Sequence, residues 1–82
     1  MIDAKDAAKI AEEYFITLKA EKNVFSVSTE EVELSKDGKY WLITLGYSDM
    51  PVFGSSTLNY KIIKINVEDG KVISMKIKIV KQ

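Results

Sequence analysis

The sequence contains no cysteine, no histidine and no arginine. Without cysteine there is no disulfide framework, no thiolate nucleophile and no cysteine-ligated zinc. Without histidine the commonest general base and the commonest transition-metal ligand are both missing. All twelve basic residues are lysine, so the planar guanidinium fork that clamps phosphate or carboxylate in two-point fashion cannot be built. The groups left for catalysis are carboxylates, lysine, tyrosine, serine and threonine. Ser55, Ser56 and Thr57 have no histidine to activate them. No EF-hand-like spacing of oxygen ligands is present. The residues therefore point to a non-enzymatic protein with no catalytic residue, no metal site and no cofactor.

Long apolar runs are also missing. No stretch approaches the roughly 18 residues of a membrane-spanning helix, and membrane insertion is not expected. The first turns carry Asp3, Lys5, Asp6, Lys9, Glu12 and Glu13, which leaves no room for the apolar region of a signal peptide. The expected location is cytoplasmic, or extracytoplasmic if a signal segment has been removed. Net charge is zero and the pI is about 6.2, against the basic footprint of a nucleic-acid binder. The charge is unevenly spread, however. Residues 1–37 hold nine acids against five lysines, and residues 60–82 hold six lysines against two acids. Internal complementarity or solvated faces account for this, and so would head-to-tail association or an anionic partner.

What is present suits one small domain spanning residues 1–82: 46% apolar and 29% charged residues in 82. A helix is expected from about Ala4 to Ala20. Asp3 can cap it and Asp6 complements its positive end. Lys19 and Lys22 favour its C-terminus, and Asn23 suits the left-handed position after it. At about 100° per residue, Ala7, Ile10, Ala11, Tyr14, Phe15 and Leu18 form one stripe, with Ile16 on the polar side.

The rest reads as β. Residues 24–35, Tyr40–Tyr47, 60–67 and 72 to about 80 are rich in β-branched and aromatic residues. Lys36-Asp37-Gly38-Lys39 and Glu68-Asp69-Gly70-Lys71 are turns. Face patterning sets the registers. In the second hairpin, a three-residue loop Glu68–Gly70 pairs Val67 with Lys71 and gathers Ile63, Ile65, Val67, Ile73, Met75 and Ile77 on one face. In the first, a two-residue loop Asp37-Gly38 puts Val32 and Leu34 with Trp41, Ile43 and Leu45, and turns Glu31 and Glu33 to solvent.

The expected fold is therefore α+β: one N-terminal helix packed on one face of a four-stranded antiparallel meander sheet. Trp41, Ile43, Leu45, Ile63, Ile65, Ile73, Met75 and Ile77 should meet Ile10, Tyr14, Phe15 and Leu18. On that expectation Leu18→Ala costs about 2–5 kcal/mol, as at a buried leucine.

An Ala-rich helix (AAKIAEEYF), an aromatic second strand (YWLITL) and a hairpin reading INVEDGKVISM together resemble the PepSY domain, a small module of the cystatin-like type. The resemblance covers most of the chain. It implies a PepSY-like, cystatin-like α+β domain and a protein that binds or modulates peptidases, generally outside the cytoplasm. A second resemblance, to bacterial toxin-immunity proteins of similar size, rests on the helix-then-sheet order and the aromatic strand. It implies an immunity or antitoxin-type inhibitor.

The residues themselves suggest where a partner would bind. Tyr40, Leu42, Tyr60 and Ile62, with Val72, fall on the sheet face that the helix leaves open. Met50, Val52 and Phe53 lie in the segment 48–59, where apolar side chains either tuck under the sheet or are offered to a partner. A protein partner or weak homodimer through this face or this loop is expected. The same face carries Lys64, Lys76 and Lys78 beside Tyr60 and Tyr40, an arrangement that could hold single-stranded nucleic acid by stacking. Glu30, Glu31 and Glu33 read as a solvated strand surface, and Asp37 and Asp69 as turn residues.

Overall fold

The computed structural model describes residues 1–18, 24–49 and 58–78. Helix α1 (Ala4–Leu18) is followed by strands β1 (Val24–Leu34), β2 (Tyr40–Asp49), β3 (Leu58–Asn66) and β4 (Val72–Ile77). The strands form one antiparallel sheet in the order β1-β2-β3-β4. The fold is α+β, a helix on a four-stranded meander, as the patterning predicts. The cap expected at Asp3 is present: its carboxylate accepts from the Asp6 amide at 2.8 Å, and its carbonyl accepts from Ala7 at 3.0 Å. The roles expected of Lys19, Lys22 and Asn23 lie outside the described residues.

Ala7, Ala11 and Phe15 are fully buried against Ile43, Leu45, Tyr47, Ile63 and Ile65. Two alanines in succession let the backbone of α1 approach the sheet closely. Phe15 then fills the wider end, its ring 4.7 Å from that of Tyr47. Ile10, Trp41 and Met75 pack around this centre, partly buried.

Four residues expected in the core are not in it. Leu18 is 53% exposed and Tyr14 37%. Phe15 already meets Tyr47, two residues from the end of β2, so the last turn of α1 has little sheet beneath it, and Tyr14 lies on the flank of the buried line. On β4, Ile73 and Ile77 are 50% and 71% exposed. The helix lies over β2, β1 and β3, which leaves Ile77 uncovered, and an irregularity in β4 puts Val72 in the place of Ile73 against the core.

The first hairpin has the expected register, Leu34 opposite Trp41 and Val32 opposite Ile43. Its turn is wider than a two-residue loop: the Ser35 amide donates to the Tyr40 carbonyl at 2.8 Å and the Gly38 amide to the Ser35 carbonyl at 2.9 Å. The second hairpin differs more. Asn66, not Val67, closes on Lys71, and the four residues Val67–Gly70 form the loop. Val67 stays beside β2, where its amide donates to the Lys39 carbonyl one step beyond the Tyr40–Asn66 pair, and its carbonyl accepts from the Ile2 amide. A bulge between the Lys64 and Ile65 pairs then places Val72, not Ile73, opposite Ile65. Beyond it the expected pairs return, Ile63 with Met75 and Lys61 with Ile77. Two further irregularities interrupt β1, between Phe25 and Ser28 and between Thr29 and Glu31.

Candidate functional site

The helix-free face is built by alternation along the central strands. Leu42 lies beside Lys64, Thr44 beside Ile62, Gly46 beside Tyr60, and Tyr40 beside Asn66. Of the residues expected to meet a partner, Tyr40, Leu42, Tyr60 and Ile62 therefore share one face, each half-buried. Val72 does not join them: it stands opposite Ile65 and packs against the core. Met50, Val52 and Phe53 lie outside the described residues.

Thr44 is buried at the middle of this face. Around it the charges are paired within the chain. The Lys64 ammonium sits 4.2 Å from the centroid of the Tyr40 ring, a cation–π contact. Lys78, beside Tyr60 in the ladder, reaches across to the Glu31 carboxylate on β1. Glu30, displaced by the bulge, takes a hydrogen bond from Ser28 Oγ at 2.9 Å and folds over Gly46, where a Cβ would come within 2.8 Å of its Oε1. The lysine-and-tyrosine surface that could stack nucleic acid is thus assembled, but Lys64 and Lys78 are already engaged by groups of the same chain.

Among the described residues, no group of three acids could hold a metal ion. Asp37 has a clearly displaced pKa, held below the ordinary aspartate value. The Ser35 hydroxyl at 2.6 Å is the main cause, followed by the Lys39 amide at 3.0 Å. Asp69 accepts from the Lys71 amide at 3.0 Å. Both act as turn-forming groups, as their sequence context predicts.

Two features escaped the sequence reading. A cavity of about 300 Å³ opens where the two hairpin turns meet the N-terminus, lined by Met1, Gly38, Lys39, Tyr40, Asn66, Val67 and Glu68. It depends on Ile2 docking on Val67 at the second turn, a contact between residues far apart in sequence. The other is apolar exposure at the two sheet edges, Val32 and Leu34 on β1 and Ile73 and Ile77 on β4. The exposed edges depend on how far one helix reaches across four strands, which residue patterning does not give.

No family model matches the chain, and neither a curated protein nor a solved structure matches it. Among the described residues, no helix is long and apolar enough to cross a membrane.

Proposed function

We propose that the protein is a small non-enzymatic binding module that engages another protein through the helix-free face of its sheet. One observation carries this reading: among the described residues, Tyr40, Leu42, Tyr60 and Ile62 gather on a single face with no helix over it. Large rings and aliphatic groups ringed by Lys64, Lys76, Glu31 and Glu33 have the make-up of an apolar contact centre with a charged rim. The lack of histidine, cysteine and arginine supports a binding role over turnover.

The partner class we favour is a peptidase. The order of one helix and a four-stranded meander is that of a cystatin-like module, and the quoted segments resemble the PepSY domain. The test is titration of the chain into peptidases of its host, read as inhibition and as complex formation. Saturable binding that Leu42→Lys or Ile62→Lys weakens at least tenfold supports the reading. Binding untouched by both substitutions, in variants with unchanged thermal midpoints, refutes the assignment of this face.

A further inference from the structure

We propose that this chain associates with copies of itself by sheet extension, the β1 edge of one copy pairing with the β4 edge of the next. This goes beyond the binding face above, because it uses the two sheet edges and a second copy of the chain.

The two edges are complementary in charge. Strand β1 carries Glu30, Glu31 and Glu33 and no lysine, whereas residues 71–78 carry Lys71, Lys76 and Lys78 and no acid. They also share an exposed apolar component on the helix side. Val32 and Leu34 pair with Ile43 and Trp41, and Ile77 pairs with Lys61 beside Leu45. Val32, Leu34 and Ile77 are all left exposed. Bulges protect the rest of each edge, but Glu31–Leu34 and Ser74–Ile77 keep regular registers.

The backbone agrees with the side chains. In an antiparallel ladder, hydrogen-bonded pairs alternate with pairs whose amides and carbonyls point away. The Ser35 amide bonds the Tyr40 carbonyl, so Ser35 and Glu33 face β2, while Val32 and Leu34 aim their backbone groups at the open edge. On the other side the Lys78 amide bonds the Tyr60 carbonyl. Lys78 and Lys76 therefore face β3, while Met75 and Ile77 aim outward. An antiparallel junction that pairs Val32 with Ile77 and Leu34 with Met75 joins outward groups to outward groups. The same register sets Glu31 opposite Lys78 and Glu33 opposite Lys76 on the helix-free face. Every pair is then apolar with apolar or acid with base.

Self-pairing of like edges lacks this fit. A β1–β1 junction sets glutamates against each other, and β4–β4 sets lysines against each other, both destabilising. The antiparallel head-to-tail junction keeps every helix on the same side of the extended sheet. Four strands at about 4.8 Å separate successive helices by roughly 19 Å, more than the ~10–12 Å diameter of a helix. The pair of Lys78 and Glu31 within one chain lies at the surface and holds little energy, so it exchanges for the same pair between chains. The contact is narrow, below the roughly 1,000 Å² of a stable interface, so association is weak and falls with salt.

The experiment is sedimentation equilibrium over about a hundredfold range of concentration on the full chain and on two edge-blocked variants. Val32→Pro and Ile77→Pro each remove an amide that points outward, so neither breaks a bond of the chain's own ladder. The mass of the parent should rise above 9.3 kDa with concentration. Each variant alone should stay monomeric, and an equimolar mixture of the two should form a one-to-one dimer. Charge reversal at two exposed positions gives a second arm that spares the backbone. Glu33→Lys and Lys76→Glu should each weaken association by roughly fivefold to tenfold, and mixing the two should restore it. A parent that stays monomeric throughout overturns the proposal, as does self-association of an edge-blocked variant. So does failure of the reversed variants to rescue one another while both keep the parent's circular dichroism. Leu42→Lys and Ile62→Lys leave both edges intact, so they should not alter this association.

Discussion

Phe15 and Leu18 lie three residues apart on one side of α1, yet their surroundings differ. Phe15 is fully buried against Tyr47, while Leu18 is more than half exposed. Phe15→Ala should cost about 3–5 kcal/mol, the lost transfer energy plus the cavity left behind. Leu18→Ala should stay within about 0.5–1 kcal/mol, since little apolar area leaves water there. Denaturant unfolding monitored by circular dichroism checks both, and a Leu18 effect as large as that of Phe15 would contradict the packing described. Asp37 gives a second prediction. Its carboxylate is held below the ordinary value, chiefly by the Ser35 hydroxyl, so the folded chain binds its proton less readily than the unfolded chain. The stabilisation is complete above about pH 5 and is lost as pH falls through the ordinary value near 3.9 towards the lower folded one. Denaturant midpoints between about pH 6 and 2 should fall less steeply in Asp37→Asn than in the parent. Equal slopes would mean the turn hydrogen bonds do not persist in solution.

The two hairpins show how the same turn chemistry acts in different settings. Gly38 and Gly70 have φ of 73° and 74°, the left-handed region that costs other residues roughly 1–2 kcal/mol. A Cβ at Gly38 meets nothing within 4 Å, whereas one at Gly70 comes within 3.2 Å of Ile10 Cδ1. Gly38→Ala should therefore cost about 1 kcal/mol from backbone conformation alone, and Gly70→Ala more, because Ile10 must also shift. Thermal midpoints in the reverse order would show that Ile10 does not rest on the second turn. These elements were largely legible in the sequence. Alternation gave the strands their faces, the Asp-Gly pairs located both turns, and the register of the first hairpin followed from them. The irregularities inside the strands were not read, although two of the three leave a mark: Glu30-Glu31 and Val72-Ile73 are doublets of one character inside alternating strands. The docking of Ile2 on Val67 had no local signal, since the two residues are distant in sequence. The half-buried face of Tyr40, Leu42, Tyr60 and Ile62 was legible because period two alone determines it. The exposed edges were not, because they depend on how far one helix reaches across four strands.

At the scale of the whole molecule, a run of hydrogen bonds ties the N-terminal segment to both hairpin turns. The Ile2 amide donates to the Val67 carbonyl at 2.9 Å, the Val67 amide to the Lys39 carbonyl at 3.0 Å, and Trp41 Nε1 to the Ile2 carbonyl at 3.1 Å. The N-terminal segment, both hairpin turns and β2 meet at this point, at the end of the sheet where α1 begins. The arrangement fixes where the helix enters, and hence which residues of α1 fall over Ile43 and Leu45. Trp41→Phe keeps an aromatic ring against the core but removes the only donor that the side chain offers. The part-buried Ile2 carbonyl then loses its partner, at a cost of about 1–3 kcal/mol. In a domain of this size each kcal/mol corresponds to roughly 4–8 °C in thermal midpoint, so the loss should be plain in a melt followed by circular dichroism. Amide exchange should localise it, with Ile2 and Val67 exchanging faster while the β2–β3 ladder keeps its protection. An unchanged melt would show that apolar packing of Ile2 and Trp41 alone seats the helix, and the junction would then be a consequence of the fold instead of one of its determinants.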